Sequence, residues 1–224
     1  PTATPTASPT ATVDNATSTP TPVVANVLIN EVDANSTGSD TAEFVELYGT
    51  PGAALDGLCL LALNGSNDRV YLTVDLDGGS LNGNGFFVVG NPGVANVGLT
   101  FADNTLQNGP DAVAIVGVEE CDATISSSTT VTDVRAMTLV DAVVYATNDD
   151  DDVELLSLLN PGQPQVDEDA SGDGDGHANA RCPNGGGGPR NTSSFVQLPP
   201  SPGTANDCSA FPTPTPTVTP VNAP

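Results

Sequence analysis

The chain has 224 residues, of which 28 are acidic and only four are basic, so that its formal net charge is −24. This charge argues against nucleic acid and against anionic membrane surfaces as partners, because both are negative and would repel it. The chain contains no apolar run long enough to span a bilayer, and we expect no membrane insertion. Copies of the chain should pack together only with screening ions or through uncharged segments.

Both ends of the chain are rich in proline and threonine. Proline at this density fixes φ and removes N–H donors, so residues 1–22 and 212–224 favour extended conformations over helix. Their composition is typical of O-glycosylated stalks and also of disordered linkers within a longer surface protein. We divide the chain into an arm at 1–22, one all-β domain at 23–211 and an arm at 212–224. The candidate glycosylation sites are Thr2, Thr4, Thr6, Thr10, Thr12, Asn15, Thr213, Thr215 and Thr217.

The domain opens with two predicted strands, Leu28–Val32 and Glu43–Tyr48, separated by the turn-forming sequence Asn35–Asp40. Glu43 and Glu46 flank a β-branched and aromatic run, which indicates a half-buried strand. Further strand and turn signals follow at short, regular intervals, as an all-β sandwich requires. These strands are predicted at Leu58–Leu63, Val70–Leu76, Gly85–Gly90, Leu99–Phe101, Ala112–Val116 and Val140–Tyr145.

The last part of the domain is predicted to be less regular. Asp152 should cap a short helix over 153–159, the only helix expected in the chain. Residues 163–190 are predicted to be mostly loop, and Phe195–Leu198 to be the closing strand.

Several sequence segments together resemble the lamin tail domain of the bacterial, secreted kind. They are Leu28–Val32, Glu43–Tyr48, Leu55–Leu58, Gln107–Ala114, Arg181–Gly185 and Ser201–Asn206. The resemblance implies an immunoglobulin-like β-sandwich. It implies no chemistry, because the family is not known for a catalytic constellation and a sandwich hosts many unrelated functions.

Four cysteines in a loop-rich chain of this composition predict two disulfides, for which three pairings exist. We favour Cys59 with Cys121, which would tie two core strands across a long loop, and Cys182 with Cys208, which would tie the glycine-rich loop to the final strand. A zinc site is the competing interpretation. The chain has no Cys-x-x-Cys spacing, however, and its single histidine is His177.

One acidic segment resembles the first half of a calcium loop. Asp167, Asp169, Ser171 and Asp173 place oxygen ligands at alternate positions, and Gly172 occupies the sixth position. Ala178 stands where the bidentate glutamate would be, so that a bound calcium would be held weakly. The alternative is a solvated loop that carries acidic residues because the whole protein does.

The residues for catalysis are few. His177 lies in a Gly/Asp-rich loop without a nucleophile motif, and aromatic side chains for stacking against sugars are scarce. We therefore expect no enzymatic activity and no required cofactor, with calcium as the one candidate ion.

These observations predict a secreted, extracellular or cell-surface glycoprotein that polymerises with other copies of itself. Edge strands of a sandwich accept extra strands, and a neighbour's extended arm is a suitable one. Two other functions stay open. The chain could be an accessory module of a larger secreted enzyme, such as an extracellular nuclease, or a calcium-dependent adhesion module.

Overall fold

The computed structural model describes residues 26–118 and 121–211. The predicted arms at 1–22 and 212–224 lie outside the described residues, as do all of the candidate glycosylation sites.

The described residues form eleven strands. They are β1 (Leu28–Asp33), β2 (Phe44–Tyr48), β3 (Leu58–Asn64), β4 (Arg69–Asp75), β5 (Phe86–Gly90), β6 (Val97–Thr100), β7 (Asp111–Gly117), β8 (Thr138–Ala146), β9 (Val166–Asp167), β10 (Ala178–Arg181) and β11 (Phe195–Leu198). One sheet has the order β11-β10-β1-β2-β5-β6 and the other the order β4-β3-β7-β8-β9. All neighbours are antiparallel except β5 with β6 and β8 with β9.

Apolar side chains fill two layers. The main core lies between the sheets and includes Ile29, Val45 and Leu47 from the first and Leu60 and Ile115 from the second. A second cluster covers the outer face of the five-stranded sheet, where two short helices, α1 (Cys121–Thr124) and α2 (Val131–Ala136), pack. Strands β3 and β7 are therefore buried on both faces, which explains their continuous apolar sequences.

The expectation of an all-β sandwich is confirmed at this level. The opening pair is antiparallel, with Val32 opposite Val45, and the predicted turn reverses the chain between β1 and β2. Gly38 has a φ of 90° in that turn, and Ser36 N donates to Asp40 Oδ1 over 2.9 Å.

The prediction of a single helix is wrong. Helix α2 begins at a capping box, in which the Thr130 hydroxyl accepts from Asp133 N and the Asp133 carboxylate accepts from Thr130 N. The helix predicted at 153–159 is shorter, a 3-10 turn at Leu155–Leu158 whose first N–H donates to Asp152 Oδ1 (2.8 Å).

Residues 163–190 are mostly loop, as predicted, but the prediction missed two short strands within them, β9 and β10. β10 has the sequence Ala-Asn-Ala-Arg, which is too short and too polar to give a strand signal. It nevertheless lies inside the six-stranded sheet, between β1 and β11.

The sandwich has two different ends. β1 begins at Leu28 beside the end of β10, and the described chain finishes at Phe211, shortly after a cysteine joined to Cys182. We call this the arm end. The opposite end, where β1 finishes at Asp33 and β7 begins at Asp111, is the acid end.

Candidate functional site

The longest outermost strand is β4, with seven residues, whereas β6 and β11 have four each and β9 has two. The beginning of β4 is covered by the segment before α2, because Val70 N donates to Thr129 O (3.0 Å) and Arg69 forms a β-bridge with Thr130. From Tyr71 to Asp75, no described strand lies on the outer side.

Alternation along β4 identifies the groups that face outward. Leu76 N donates to Leu58 O over 3.1 Å, so that the backbone of Val74, two residues earlier, also faces β3. The N–H and C=O groups of Thr73 and Asp75 therefore point away from the sheet. An unpaired row of such groups is a template for a further strand.

Apolar side chains are half-buried on the side of the sandwich that carries this edge. β11 contacts β9, so the sheets stack with β6 on the same side as β4. Leu72 and Val74 of β4, Phe87 of β5 and Leu99 of β6 all pack against the main core but keep part of their surface exposed. An added strand would bury more of this surface.

The arm end is held together by a buried polar network around Asn30. Its amide donates to Glu46 Oε1 and to Asn184 Oδ1, both over 2.8 Å, and its Oδ1 accepts from Gly185 N (3.0 Å). Asn206 N also donates to Asn184 Oδ1 (3.2 Å). Four of the segments that resemble a lamin tail domain thus meet at this point.

Two buried glutamates hold the closing segment of the chain against the six-stranded sheet. Glu31 accepts from the backbone N–H and the hydroxyl of Ser201 (2.9 and 3.0 Å), and Glu46 accepts from Gly203 N (2.6 Å). Burial raises the pKa of Glu31 to about 7 and, together with the nearby Glu31, that of Glu46 to about 8, although the hydrogen bonds oppose the shift.

One buried ion pair joins the two sheets at the arm end. Arg181 and Asp141 have side chains that are both 0% exposed, and their charged groups are 3.1 Å apart. Asp141 Oδ2 also accepts from Ile29 N (2.8 Å), and the guanidinium lies 4.7 Å from the centre of the Phe195 ring. The same guanidinium donates to the carbonyls of Ile29, Gly186, Gly188 and Asn191, which fixes the glycine-rich loop.

The acid end is organised around Asn35. Its amide donates to Asp175 Oδ1 (3.0 Å), and its Oδ1 accepts from the amide of Asn108 (3.3 Å), which also approaches Asp40 Oδ2 (3.3 Å). Immediately before it, Ala34 N donates to Glu168 Oε1 over 2.7 Å. Acidic and amide side chains therefore crowd this end of the sandwich.

Buried oxygens at the acid end are left without partners. Asp33 Oδ1, Glu168 Oε2 and Asn108 Oδ1 have no donor at hydrogen-bonding distance among the described residues, although the backbone N–H of Asn35 is near enough to both carboxylates to oppose the rise in their pKa values. Burial and the nearby Glu31, Asp40 and Glu43 raise the pKa of Asp33 to about 8. Burial and the charge of Asp33 raise the pKa of Glu168 well above its ordinary value.

The predicted calcium ligands are only partly brought together. Asp169 and Asp173 line one shallow cavity of about 420 Å³ at the acid end, along with Asn35 and Asp175. Asp167 instead accepts from Gln165 Nε2 (3.2 Å), and Ser171 is not among the lining residues. Within the described residues, no three Asp, Glu, His or Cys side chains are grouped closely enough to hold a metal ion by themselves. Calcium at this loop stays a prediction.

His177 contacts Ser171, whose hydroxyl lies 2.9 Å from its Nδ1. Both side chains are at the surface, and in the part of the chain that the structure describes no carboxylate hydrogen-bonds the imidazole ring. A serine and a histidine without a group to orient the base lack the third element of a hydrolytic triad.

The four cysteines form two pairs, Cys59 with Cys121 and Cys182 with Cys208, whose Cα atoms are 6.0 and 5.5 Å apart. This is the pairing that the sequence favoured, with two differences. Cys121 lies in α1, so the first bridge joins β3 to a helix rather than to a second core strand, and Cys208 lies in the 3-10 turn Cys208–Ala210 rather than in the final strand. Two disulfides are typical of proteins from an oxidising compartment. Among the described helices, none has the length and apolarity to cross a membrane.

Comparison of the chain with protein-family models, curated proteins and solved structures finds no match. The resemblance to lamin tail domains therefore stays a prediction that rests on the segments quoted above.

Burial of acidic side chains was not predicted from the sequence. Seven Asp and Glu side chains of the described residues are buried, and they are Glu31, Asp33, Glu43, Glu46, Asp111, Asp141 and Glu168. Glu43 and Glu46 are three positions apart, so strand alternation gives them no common face. Different segments cover the two side chains, with Thr105 N donating to Glu43 and Gly203 N to Glu46. One feature of the sequence could have indicated them, namely three polar residues, Asn30, Glu31 and Asp33, within an otherwise apolar strand. Exposure to solvent on one face does not explain polar residues at neighbouring positions of a strand.

Proposed function

We propose that this chain is a non-enzymatic extracellular structural protein that assembles into a filament or a surface layer. In this proposal the outer side of β4 takes up the N-terminal arm of a neighbouring copy as an added strand. The observation that carries it is the open stretch from Tyr71 to Asp75, which has outward backbone groups and a half-buried apolar surface behind it.

The proline spacing of the N-terminal arm supports its role as the added strand. In an extended chain, successive residues present their N–H and C=O groups to opposite edges. Pro1, Pro5 and Pro9 all stand at odd-numbered positions. Up to residue 19, the backbone N–H groups that proline removes therefore all belong to the same edge of the extended arm. The other edge keeps all its donors, beginning with Thr2. Nineteen extended residues reach roughly 60 Å, several times the length of the open stretch of β4.

Charge also favours the arms as the contact between copies. Asp14 is the only charged side chain in residues 1–22, and residues 212–224 contain none. The acidic domains repel one another, whereas an uncharged arm approaches a neighbouring domain at little electrostatic cost. A contact between an edge and an arm joins two different surfaces, and such contacts extend into filaments when the rotation does not close a ring.

We further propose that the domain is an immunoglobulin-like sandwich of the lamin tail type and that the protein is secreted and glycosylated on its arms. The meeting of the resembling segments at Asn30 supports the first statement, and the two disulfides support an oxidising, extracellular environment. Glycosylation of the arms rests on their threonine-rich composition.

Thr73 offers a matched test. Thr73→Pro removes an outward N–H without removing a bond to β3, whereas Thr73→Ala keeps that N–H. We expect electron micrographs to show polymers of the full chain and of Thr73→Ala, and monomers for Thr73→Pro and for a chain without residues 1–22. Circular dichroism and the thermal midpoint should confirm that each variant is folded.

A full chain that stays monomeric at all concentrations and salt levels would contradict assembly. That result would favour the alternative function, in which the chain is an accessory module of a larger secreted enzyme.

A further inference from the structure

The acid end contains polar atoms that the described protein does not satisfy. Glu168 is 0% exposed, yet its Oε2 has no hydrogen-bond partner. Asp33 Oδ1 and Asn108 Oδ1 are also buried atoms without a partner, although Asn108 as a residue is only half-buried. A buried carboxylate oxygen without a donor costs much free energy, so that such atoms call for an external partner.

These three oxygens belong to residues grouped around Asn35. Asp33 precedes Asn35 by two positions, and Glu168 is bonded to Ala34 N, the residue between them. Asn108 is bonded to the side chain of Asn35. The carboxylates of Asp33 and Glu168 lie close enough for the charge of Asp33 to raise the pKa of Glu168, and Asn108 reaches the same end of β1 through its bond to Asn35.

Among the described residues, no Lys or Arg side chain forms an ion pair with these carboxylates. The sequence has no lysine, and the one ion pair in the described residues joins Arg181 to Asp141 at the opposite end. Neutralisation must come from protons or from a cation. A proton on one of the two carboxylates removes one negative charge. It supplies only one O–H donor, however, for the remaining unpaired oxygens. A cation satisfies two carboxylates and an amide carbonyl together, and these are the ligands that calcium prefers.

We propose that the acid end binds one calcium-type divalent cation through Asp33 Oδ1, Glu168 Oε2 and Asn108 Oδ1, with water completing the shell. This site differs from the loop ligands Asp167, Asp169, Ser171 and Asp173 predicted above. The absence of a closer group of three acids agrees with a site in which an amide carbonyl is one of the ligands.

One surface cavity shares Asn35 with this group, and none of the three proposed ligand residues lines it. Asn35 lines it together with Asp169, Asp173 and Asp175, so that acidic side chains surround its mouth. Exposed carboxylates raise the local concentration of divalent cations without holding them tightly.

Terbium luminescence tests the site directly. Terbium replaces calcium and emits when a nearby aromatic ring absorbs light, and the chain contains no tryptophan and three tyrosines. Tyr145 is completely buried close enough to Glu168 for that charge to raise its pKa. We expect terbium emission from the full chain that calcium displaces with a dissociation constant of roughly 10⁻⁴ to 10⁻³ M, the range of extracellular modules.

Variants separate this site from the surface acids. Glu168→Gln and Asp33→Asn should each weaken calcium binding roughly tenfold or more, because they remove a charged ligand. Glu168→Gln should also raise the thermal midpoint in the absence of calcium, since it removes repulsion from Asp33, which shows that the variant is folded. Asp175→Asn, at the cavity wall, should retain calcium binding. Tyr145→Phe should lose the emission but keep the calcium-induced rise in thermal midpoint.

Three results would overturn the proposal. The first is a chain without calcium-dependent emission or stabilisation, in which acidification alone stabilises the fold, because the carboxylates are then held by protons. The second is equal calcium affinity for the native chain and Glu168→Gln. The third is loss of binding in Asp175→Asn but not in Glu168→Gln, which would place the ion in the surface loop.

Discussion

The arm end and the acid end both bury carboxylates, but they treat them differently. At the arm end, both oxygens of Glu31, Glu46 and Asp141 accept hydrogen bonds from loops, from strands β1 and β8 or from Arg181. At the acid end, Asp33 and Glu168 each keep one oxygen without a donor among the described residues.

The two ends therefore use buried carboxylates in two different ways. A carboxylate whose two oxygens both accept hydrogen bonds holds a segment in place, and hydrogen bonds within the protein offset the cost of burying it. A carboxylate with a free oxygen depends on the solution, because a proton or a cation must complete it. The arm end should therefore respond mainly to mutation, and the acid end also to ions.

The largest expected effect is that of pH. Folded pKa values of about 7 for Glu31 and about 8 for Asp33 and Glu46 exceed their ordinary values, so the folded state binds more protons than the unfolded state. The stabilising contribution of these groups is complete below their ordinary pKa values and is lost progressively as pH rises from there to the folded values of about 7 to 8. We therefore expect the free energy of unfolding to fall steadily between about pH 4 and pH 8.

Urea unfolding with intact disulfides, measured across this pH range, checks the sign. High sodium chloride controls for general repulsion in an acidic chain, which salt screens, whereas the cost of burial stays. Calcium should remove only the contribution of the acid end. Stability that increases with pH over this range would contradict the assignment of these groups.

A smaller effect comes from two glutamates near the ends of β2. Glu46→Gln places an NH₂ group against Gly203 N or the Asn30 amide, and we expect a loss of about 1–3 kcal/mol in free energy of unfolding. Glu43→Gln is the matched control. Glu43 Oε2 accepts from Asn91 and Thr105, while its Oε1 has no partner, so the new amide can occupy the free position at a cost of no more than about 1 kcal/mol. Equal losses for the two variants would remove the distinction between satisfied and unsatisfied carboxylates.

Much of the fold could be predicted because strong local signals coincide with the tertiary structure. The apolar sequences of β3 and β7 are strands in the middle of a sheet buried on both faces, and the glycine and asparagine turns lie between strands. β10 was missed because a strand of four residues is specified by its neighbours β1 and β11, and no local pattern contains that information.

The candidate site could be predicted less well from the sequence, for a similar reason. The carboxylate of Glu168 meets Ala34, and that of Asp141 meets Ile29, more than a hundred positions apart in the chain. Calcium-loop spacing drew attention to Asp167 and Asp169, whereas the buried side chain between them is Glu168. Composition did predict disulfides, since an acidic, loop-rich chain with four cysteines is typical of an oxidising compartment.

The proline parity of the N-terminal arm gives the most direct test of the proposed assembly. Thr6→Pro places a proline on the edge that keeps all its donors, whereas Ala7→Pro adds one to the edge that already carries Pro1, Pro5 and Pro9. Each variant adds one proline to the arm and leaves the domain unchanged, and Thr6→Ala controls for the loss of the Thr6 hydroxyl. Electron micrographs should show polymers for Ala7→Pro and only monomers for Thr6→Pro. Polymers of equal length in both variants would contradict the pairing of the arm with the edge of β4.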